Sequence, residues 1–177
     1  MLGFTHLEEY LRLFAPLNRR MRRQRVEISG EEIYGYIMSI FDNRFDRHQI
    51  RFDTTIDFRR YVIKTFPSTL LPVLINLVDN ACYWLAQVEP VRRWIRLDIH
   101  PQGISVENGG EGIEQRIADR IFDFGFSTKP EGRGIGLSIA RRSLRHENMD
   151  ILLLNPGERN TPHFLIVLNK NDESHLE

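Results

Sequence analysis

Residues 70–87 carry the pattern that most restricts this chain. Leu71, Leu74, Leu77 or Val78, Ala81 and Leu85 repeat at helical spacing as an apolar face, while Asn76, Asp79, Asn80 and Tyr83 recur three and four residues apart as a polar stripe beside it. Asparagine is a poor residue for a helix interior because its amide competes for the backbone, at about 0.5 kcal/mol or more relative to alanine. Two of them one turn apart therefore ask for a role. Either they are exposed or capping amides, or their oxygens and the Asp79 carboxylate face a hydrated cation or a phosphate.

The flanking segments predict a sheet for this helix to cover. Residues 26–29 alternate as a short strand, and Ser29 or Gly30 caps a helix with Ile33, Tyr36, Ile37, Ile40 and Phe41 on one face. Residues 49–56 and 61–65, rich in β-branched and aromatic side chains, are expected as two strands paired with each other. A break at Pro67, Ser68 and Thr69 starts the asparagine-bearing helix and is expected to leave Pro72 in its first turn. Residues 93–100 and 103–107 form a strand pair turning at Pro101 and Gln102, and residues 150–154 and 163–168 are apolar strands joined by the polar loop NPGERNTP. The order implies one mixed, mostly antiparallel sheet with helices on one face, an α/β or α+β two-layer sandwich.

Composition narrows the partners. With 177 residues and 41% hydrophobic content the chain suggests a single domain able to bury a core without disulfides or metal. Lys plus Arg equals Asp plus Glu at 24 each, so global charge points to neither nucleic acid nor an anionic membrane. Cys82 is the one cysteine, which excludes an internal disulfide, fits a reducing cytoplasm and makes a His/Cys metal site unexpected. No apolar run approaches the roughly 20 residues of a membrane span, and no signal peptide is visible. Leu7, Tyr10, Phe14, Leu17 and Met21 form a helical seam that either pairs with another helix or packs on the domain. The run RRMRRQR, residues 19–25, reads as a solvated helix end, with a nucleic-acid or lipid contact as the alternative.

Glycines punctuate the rest. Asn108-Gly109 signals a tight turn, yet Ile113, Ile117, Ile121 and Phe124 then follow at helical spacing, so Gly109, Gly110 and Gly112 lead into a helix or lid, where something approaches the backbone closely. Gly132, Gly134 and Gly136 straddle the start of a helix marked by Ile135, Leu137, Ile139, Ala140 and Leu144. Such an entry presents free N–H groups and the positive end of the helix dipole, as a phosphate chain requires, although glycine triplets are also common loop punctuation. Ser127, Thr128, Lys129 and Arg133 add hydroxyls and cations beside it.

Taken in order, LINLVDNACYW, VENGGEGI and FDFGFSTKPEGRGIGLSIA resemble the nucleotide site of the GHKL superfamily, the ATPases of histidine-kinase and gyrase type. The resemblance covers residues 26–170 and implies a Bergerat-type ATP-binding fold. The family pattern N-L-x-x-N-A matches Asn76, Leu77, Asn80 and Ala81, which implies Asn80 as the magnesium ligand and Asn76 as its helper. The turn D-x-G-x-G-I aligns with residues 108–113, assigning Asn108, Gly110, Gly112 and Ile113 to the nucleotide. Residues 121–129 look like the phenylalanine box and lid, with Phe122, Ser127, Thr128 and Lys129, and residues 132–137 like the second glycine box, with Gly132, Arg133, Gly134, Ile135, Gly136 and Leu137. Asp79 and Tyr83, in the same polar stripe as the two asparagines, are expected beside the nucleotide, and Asn76, Asn80 and Lys129 are the residues expected to act in transfer.

Two positions depart from the pattern. Asn108 stands where the family has an aspartate that accepts from the adenine amino group, and a neutral amide oxygen is roughly half as strong a partner. Tyr83 stands where many kinases place a cation near the phosphates, a charge that Lys129 or Arg133 supplies instead.

The resemblance implies ATP and Mg2+ as cofactors and the catalytic domain of a cytoplasmic sensor histidine kinase, or of the cytoplasmic part of a membrane receptor. In gyrase-type relatives a glutamate that activates water stands at the Asn76 position, and an amide is no general base. Transfer to an external nucleophile is thereby favoured. None of the 6 histidines sits in an H-E-x-x-x-P motif, so the acceptor is expected on a dimerisation domain outside these residues, with a response regulator downstream. Residues 1–25 are expected as the tail of a dimerisation helix through which a homodimer forms, and residues 171–177 as a polar tail. The alternatives are a stand-alone GHKL ATPase or anti-sigma-type protein kinase, and a degenerate nucleotide-binding module.

Overall fold

The computed structural model describes residues 24–130, 132–154, 156–157 and 161–168. The seam from Leu7 to Met21, its expected dimerisation role, most of the arginine run and the polar tail lie outside these residues. Strand β1 (Val26–Ser29) leads into helix α1 (Gly30–His48), which starts where the sequence asks: the Ser29 hydroxyl accepts from the Glu32 N–H while the Glu32 carboxylate accepts from the Ser29 N–H. This reciprocal cap holds the Glu32 carboxyl below the usual carboxylate range. Ile33, Ile37, Phe41 and Phe45 form the buried face of α1.

Strand β2 (Arg51–Thr54) and strand β3 (Val62–Thr65) do not pair with each other, contrary to expectation. Helix α2 (Ile56–Arg60) intervenes, capped by the Thr55 hydroxyl accepting from the Phe58 N–H at 3.1 Å, and it buries Phe58 completely. Thr55 and Ile56, read as strand on their β-branched content, form the cap and first residue of this helix instead. β2 runs parallel to strand β4 (Trp94–His100), and β3 pairs antiparallel with β1. Two sheets result where one was expected: β1-β3, and a five-stranded sheet ordered β2-β4-β5-β7-β6. The remaining strands, β5 (Gly103–Asn108), β6 (Asp150–Leu153) and β7 (His163–Val167), pair antiparallel with their neighbours, and β4 meets β5 across the Pro101-Gln102 turn.

Ile95, Leu97, Ile104, Val106, Ile151, Phe164 and Ile166 alternate along the strands and enter one core with the helices. The opposite face carries Arg96, Asp98 and Glu107 in register, so the larger sheet is mixed, mostly antiparallel and covered by helices on one face. The central helix, α3 (Pro67–Leu85), buries all the apolar positions expected of it, Leu77 and Val78 both. Each such side chain contributes about 1.5–3 kcal/mol when fully buried. Pro72 lies inside this helix and not in its first turn, because Pro67 is its first residue. Cys82 is buried between α3 and its neighbours, and burial pushes its thiol up to about 12, so it stays protonated and inert.

The helix expected over residues 113–124 is a short helix α4 (Gln115–Ala118) and a 3-10 turn at Arg120–Phe122, with Phe124 exposed at 80%. A long helix α5 (Gly136–His146) follows the lid loop and buries Ala140 and Leu144 against the core, and Ile139 is exposed. No helix among the described residues is long and apolar enough to cross a membrane.

Candidate functional site

A cleft of about 420 Å³ opens between α3, the end of β5, the lid loop and the start of α5. It collects most of the residues singled out in the sequence: Asn80, Asn108, Gly112, Ile113, Ser127, Thr128, Lys129, Gly132, Arg133, Gly134, Ile135, Gly136 and Leu137 all line it. Asn76, Asp79, Tyr83, Gly110 and Phe122 do not form its lining, and each has a definite place nearby. The cleft is two chemical environments in one. Leu77, Ala81, Trp84, Ile117 and Phe164 supply apolar wall, which suits a flat base, and Lys129, Arg133 and the glycine turn supply cations and N–H groups, which suit phosphates.

The polar stripe of α3 is a chain of hydrogen bonds. The Lys129 ammonium donates to Asn80 Oδ1 at 2.7 Å, and Asn80 Nδ2 donates to Asn76 Oδ1 at 3.3 Å. Asn76 therefore orients Asn80 so that its oxygen faces a cation. Lys129 also lies 4.4 Å above the Tyr83 ring, so the lid lysine fills the place where the helix itself lacks a charge. Burial lowers the Lys129 pKa, with the Asp79 carboxylate opposing that shift and Arg44 adding to it. Asp79 does not enter the cleft. It pairs with Arg44 of α1 at 2.5 Å and acts on Lys129 through its field.

The lid is closed on itself by the Gly125 N–H donating to Gly134 O at 2.9 Å. Gly134 has φ +64, and a Cβ there would lie 2.3 Å from the backbone of Gly125, so both the left-handed turn and the close approach require glycine. Two residues later the chain enters α5 with no side-chain cap, which leaves its first N–H groups without a protein partner of that kind, at the cleft wall. Gly136 sits against the Asn76 amide: a Cβ there would be 2.7 Å from Asn76 Oδ1. The asparagine face of α3 and the glycine entry of α5 are thus neighbours across one cleft.

At the other end Asn108 is 5% exposed, and its Oδ1 accepts from the Gly110 N–H at 3.0 Å. Arg92 holds the turn from outside, donating to Gly109 O at 3.0 Å and Gly110 O at 2.8 Å. Phe122 packs edge-on to Phe164 and under Arg141, away from the lining. Among the wall residues, Trp84, Phe126 and Phe164 were not singled out in the sequence; Trp84 alone offered a signal, one helical turn beyond Asn80.

A single amide oxygen that already accepts from an ammonium suits Mg2+, which keeps several waters and takes its other ligands from substrate phosphates. Among the described residues no group of three or more acidic, His or Cys side chains offers a protein-only metal cage.

Residues 66–170 match the family described as histidine kinase-, DNA gyrase B- and HSP90-like ATPase. The chain belongs to that ATPase family. Sensor protein TdiS of Thauera aromatica is 27% identical to this ATPase domain over 167 residues, a match covering 89% of the chain and 30% of TdiS. The catalytic domain of histidine kinase ThkA has the same fold at a TM-score of 0.65 and 25% identity, covering 83% of the chain and 96% of that domain. A structure of ThkA in complex with response regulator protein TrrA matches at 0.64 and 20% identity over 97% of the chain and 50% of that one, a likeness of fold. This ATPase domain therefore corresponds to the catalytic part of a sensor histidine kinase and spans less than a third of TdiS.

Proposed function

We propose that residues 26–170 are the catalytic unit of a two-component sensor histidine kinase and transfer the γ-phosphoryl group of Mg-ATP to a histidine on a separate dimerisation domain. The observation that carries this reading is the Lys129 to Asn80 to Asn76 chain facing the glycine entry of α5 in one cleft. Magnesium, when bound at Asn80 Oδ1, supplies neutralisation of charge on the transferring phosphoryl oxygens. The chain's own groups do the rest. Asn76 fixes the Asn80 amide, the α5 N–H groups and Arg133 hold the phosphates, and Lys129, released from Asn80, brings its ammonium to the charge that develops on transfer. A metal held at Asn80 Oδ1 would take the oxygen to which Lys129 now donates and would leave the lysine ammonium free for the phosphates.

Asn76 cannot accept a proton, so water is not activated at this position and the acceptor comes from outside. A histidine-bearing helical hairpin is the acceptor we infer, with a response regulator as the next carrier in the cytoplasm. The test is direct. The chain, γ-labelled ATP, magnesium and a dimerisation domain carrying an H-E-x-x-x-P histidine should give acid-labile label on the partner, none with EDTA, and little free phosphate without the partner. Rapid release of free phosphate by the chain alone would instead identify a hydrolase.

A further inference from the structure

The ion pair of Arg44 and Asp79 stands beside the cleft and takes no part in the chemistry above. Arg44 projects from α1 and donates to Asp79 Oδ1 of α3 at 2.5 Å, with 34% and 36% of the two side chains exposed. Asp79 precedes Asn80 and lies one helical turn before Tyr83, at a spacing that makes side chains neighbours. Over that same Tyr83 ring, at 4.4 Å, sits the Lys129 ammonium that donates to Asn80 Oδ1 at 2.7 Å. One ammonium thus has an amide oxygen and a ring face in contact, and close by a carboxylate that another cation holds. Burial lowers the Lys129 pKa most, Asp79 opposes that shift and Arg44 adds to it, which puts both members of the pair within electrostatic reach of the lysine.

A carboxylate is roughly twice as strong a hydrogen-bond partner for an ammonium as a neutral amide oxygen. We propose that Arg44 is a positioning residue for phosphoryl transfer: by occupying the Asp79 carboxylate it leaves Lys129 to Asn80 and the cleft, where the ammonium meets the phosphates. The inference rests on the kinase reading given above. With Arg44 gone, the lysine has a charged acceptor beside Tyr83 and a flexible four-carbon stem with which to reach it. Asp79 does not line the cleft, so a lysine drawn to it is withdrawn from the nucleotide. The competition sharpens once a metal takes the Asn80 oxygen, since Lys129 then loses its present acceptor. A pair that served only to tie α1 to α3 would behave differently, because removing both charges does not restore the tie.

The nucleotide-free chain gives the first readout. In NMR of labelled Arg44→Met, the Asn80 side-chain amide signals should move to where Lys129→Met puts them, as the ammonium leaves Asn80 Oδ1. The second readout is transfer from saturating Mg-ATP to a histidine-bearing dimerisation domain. There Arg44→Met should lower kcat about tenfold with KM within about threefold, as expected when a group acting in the transition state is displaced. Arg44→Met/Asp79→Ala removes the competing acceptor and should return kcat to within about threefold of the parent, and Arg44→Lys should do the same by keeping a cation on Asp79. Asn80 signals that Arg44→Met leaves in place, a kcat within about threefold of the parent, or a double variant as slow as Arg44→Met would each overturn the proposal. The last result would identify a strut between the helices. Failure of the parent to transfer would overturn the kinase reading and this role with it, whereas unmoved Asn80 signals beside an active parent overturn the role alone. Both side chains are partly exposed, so Arg44→Met is expected to fold, and Arg44→Gln takes its place if it does not.

Discussion

Replacing Asn80 by alanine should reduce phosphoryl transfer at least about 100-fold, the scale of losing one preorganised electrostatic group at a reacting phosphate. The Asn80 oxygen is held by Asn76 on one side and satisfied by Lys129 on the other, so it is positioned before any ligand arrives. Alanine removes the oxygen and leaves Lys129 over the Tyr83 ring, with no neutral oxygen for the metal to replace it on. Stability should not fall in parallel, because alanine is the better helix former by about 0.5 kcal/mol. A transfer assay run beside a thermal melt separates the two. Transfer within about threefold of the parent would remove Asn80 from the machinery.

The largest stability effect is expected at Gly30. Its N–H donates to Tyr61 O at 2.9 Å, and an added Cβ would lie 1.7 Å from Phe58 O and 2.6 Å from Phe58 C. Those are backbone atoms of α2, with the buried Phe58 side chain anchored in the core, so nothing flexible is present to yield. Gly30→Ala must separate the start of α1 from α2 or break the Tyr61 bond, and should cost about 3 kcal/mol, the upper range for overpacking a dense interior. Urea unfolding would report this as a lower midpoint at unchanged slope. A loss below about 0.5 kcal/mol, no more than an exposed substitution costs, would mean that the α1–α2 contact is loose.

Much of the fold was legible because local chemistry and burial agreed. Ser29 and Glu32 mark a helix start by two reciprocal bonds, and the alternation through residues 94–108 survives as β4 and β5 because one face must be apolar. Residues 49–65 misled for the opposite reason. Thr55 is β-branched and reads as strand, but its hydroxyl serves better as a cap, and the true partners of β2 and β3 lie far along the chain where no local signal reaches. Residues 113–124 keep helical spacing while Phe124 points outward, so periodicity without burial did not make a long helix.

In the site, the asparagine stripe was legible because asparagine in a helix interior has a cost that something must offset. The Arg44 to Asp79 pair was not, since Arg44 lies on another helix. The glycines were legible as close approaches, but the sequence could not say to what. Gly109 meets Arg92 O and the Trp94 indole, parts of the protein itself.

The central claim is that a magnesium-bound triphosphate lies between the α3 amides and the glycine entry of α5. NMR of isotope-labelled chain tests it most directly, by following the side-chain amides of Asn76 and Asn80 together with the backbone amides of Gly132, Gly134 and Gly136 during titration with Mg-nucleotide. Both sets should shift along one binding curve, with the Asn80 response lost when EDTA removes the metal. Shifts confined to one set, or an Asn80 amide indifferent to metal, would contradict the account.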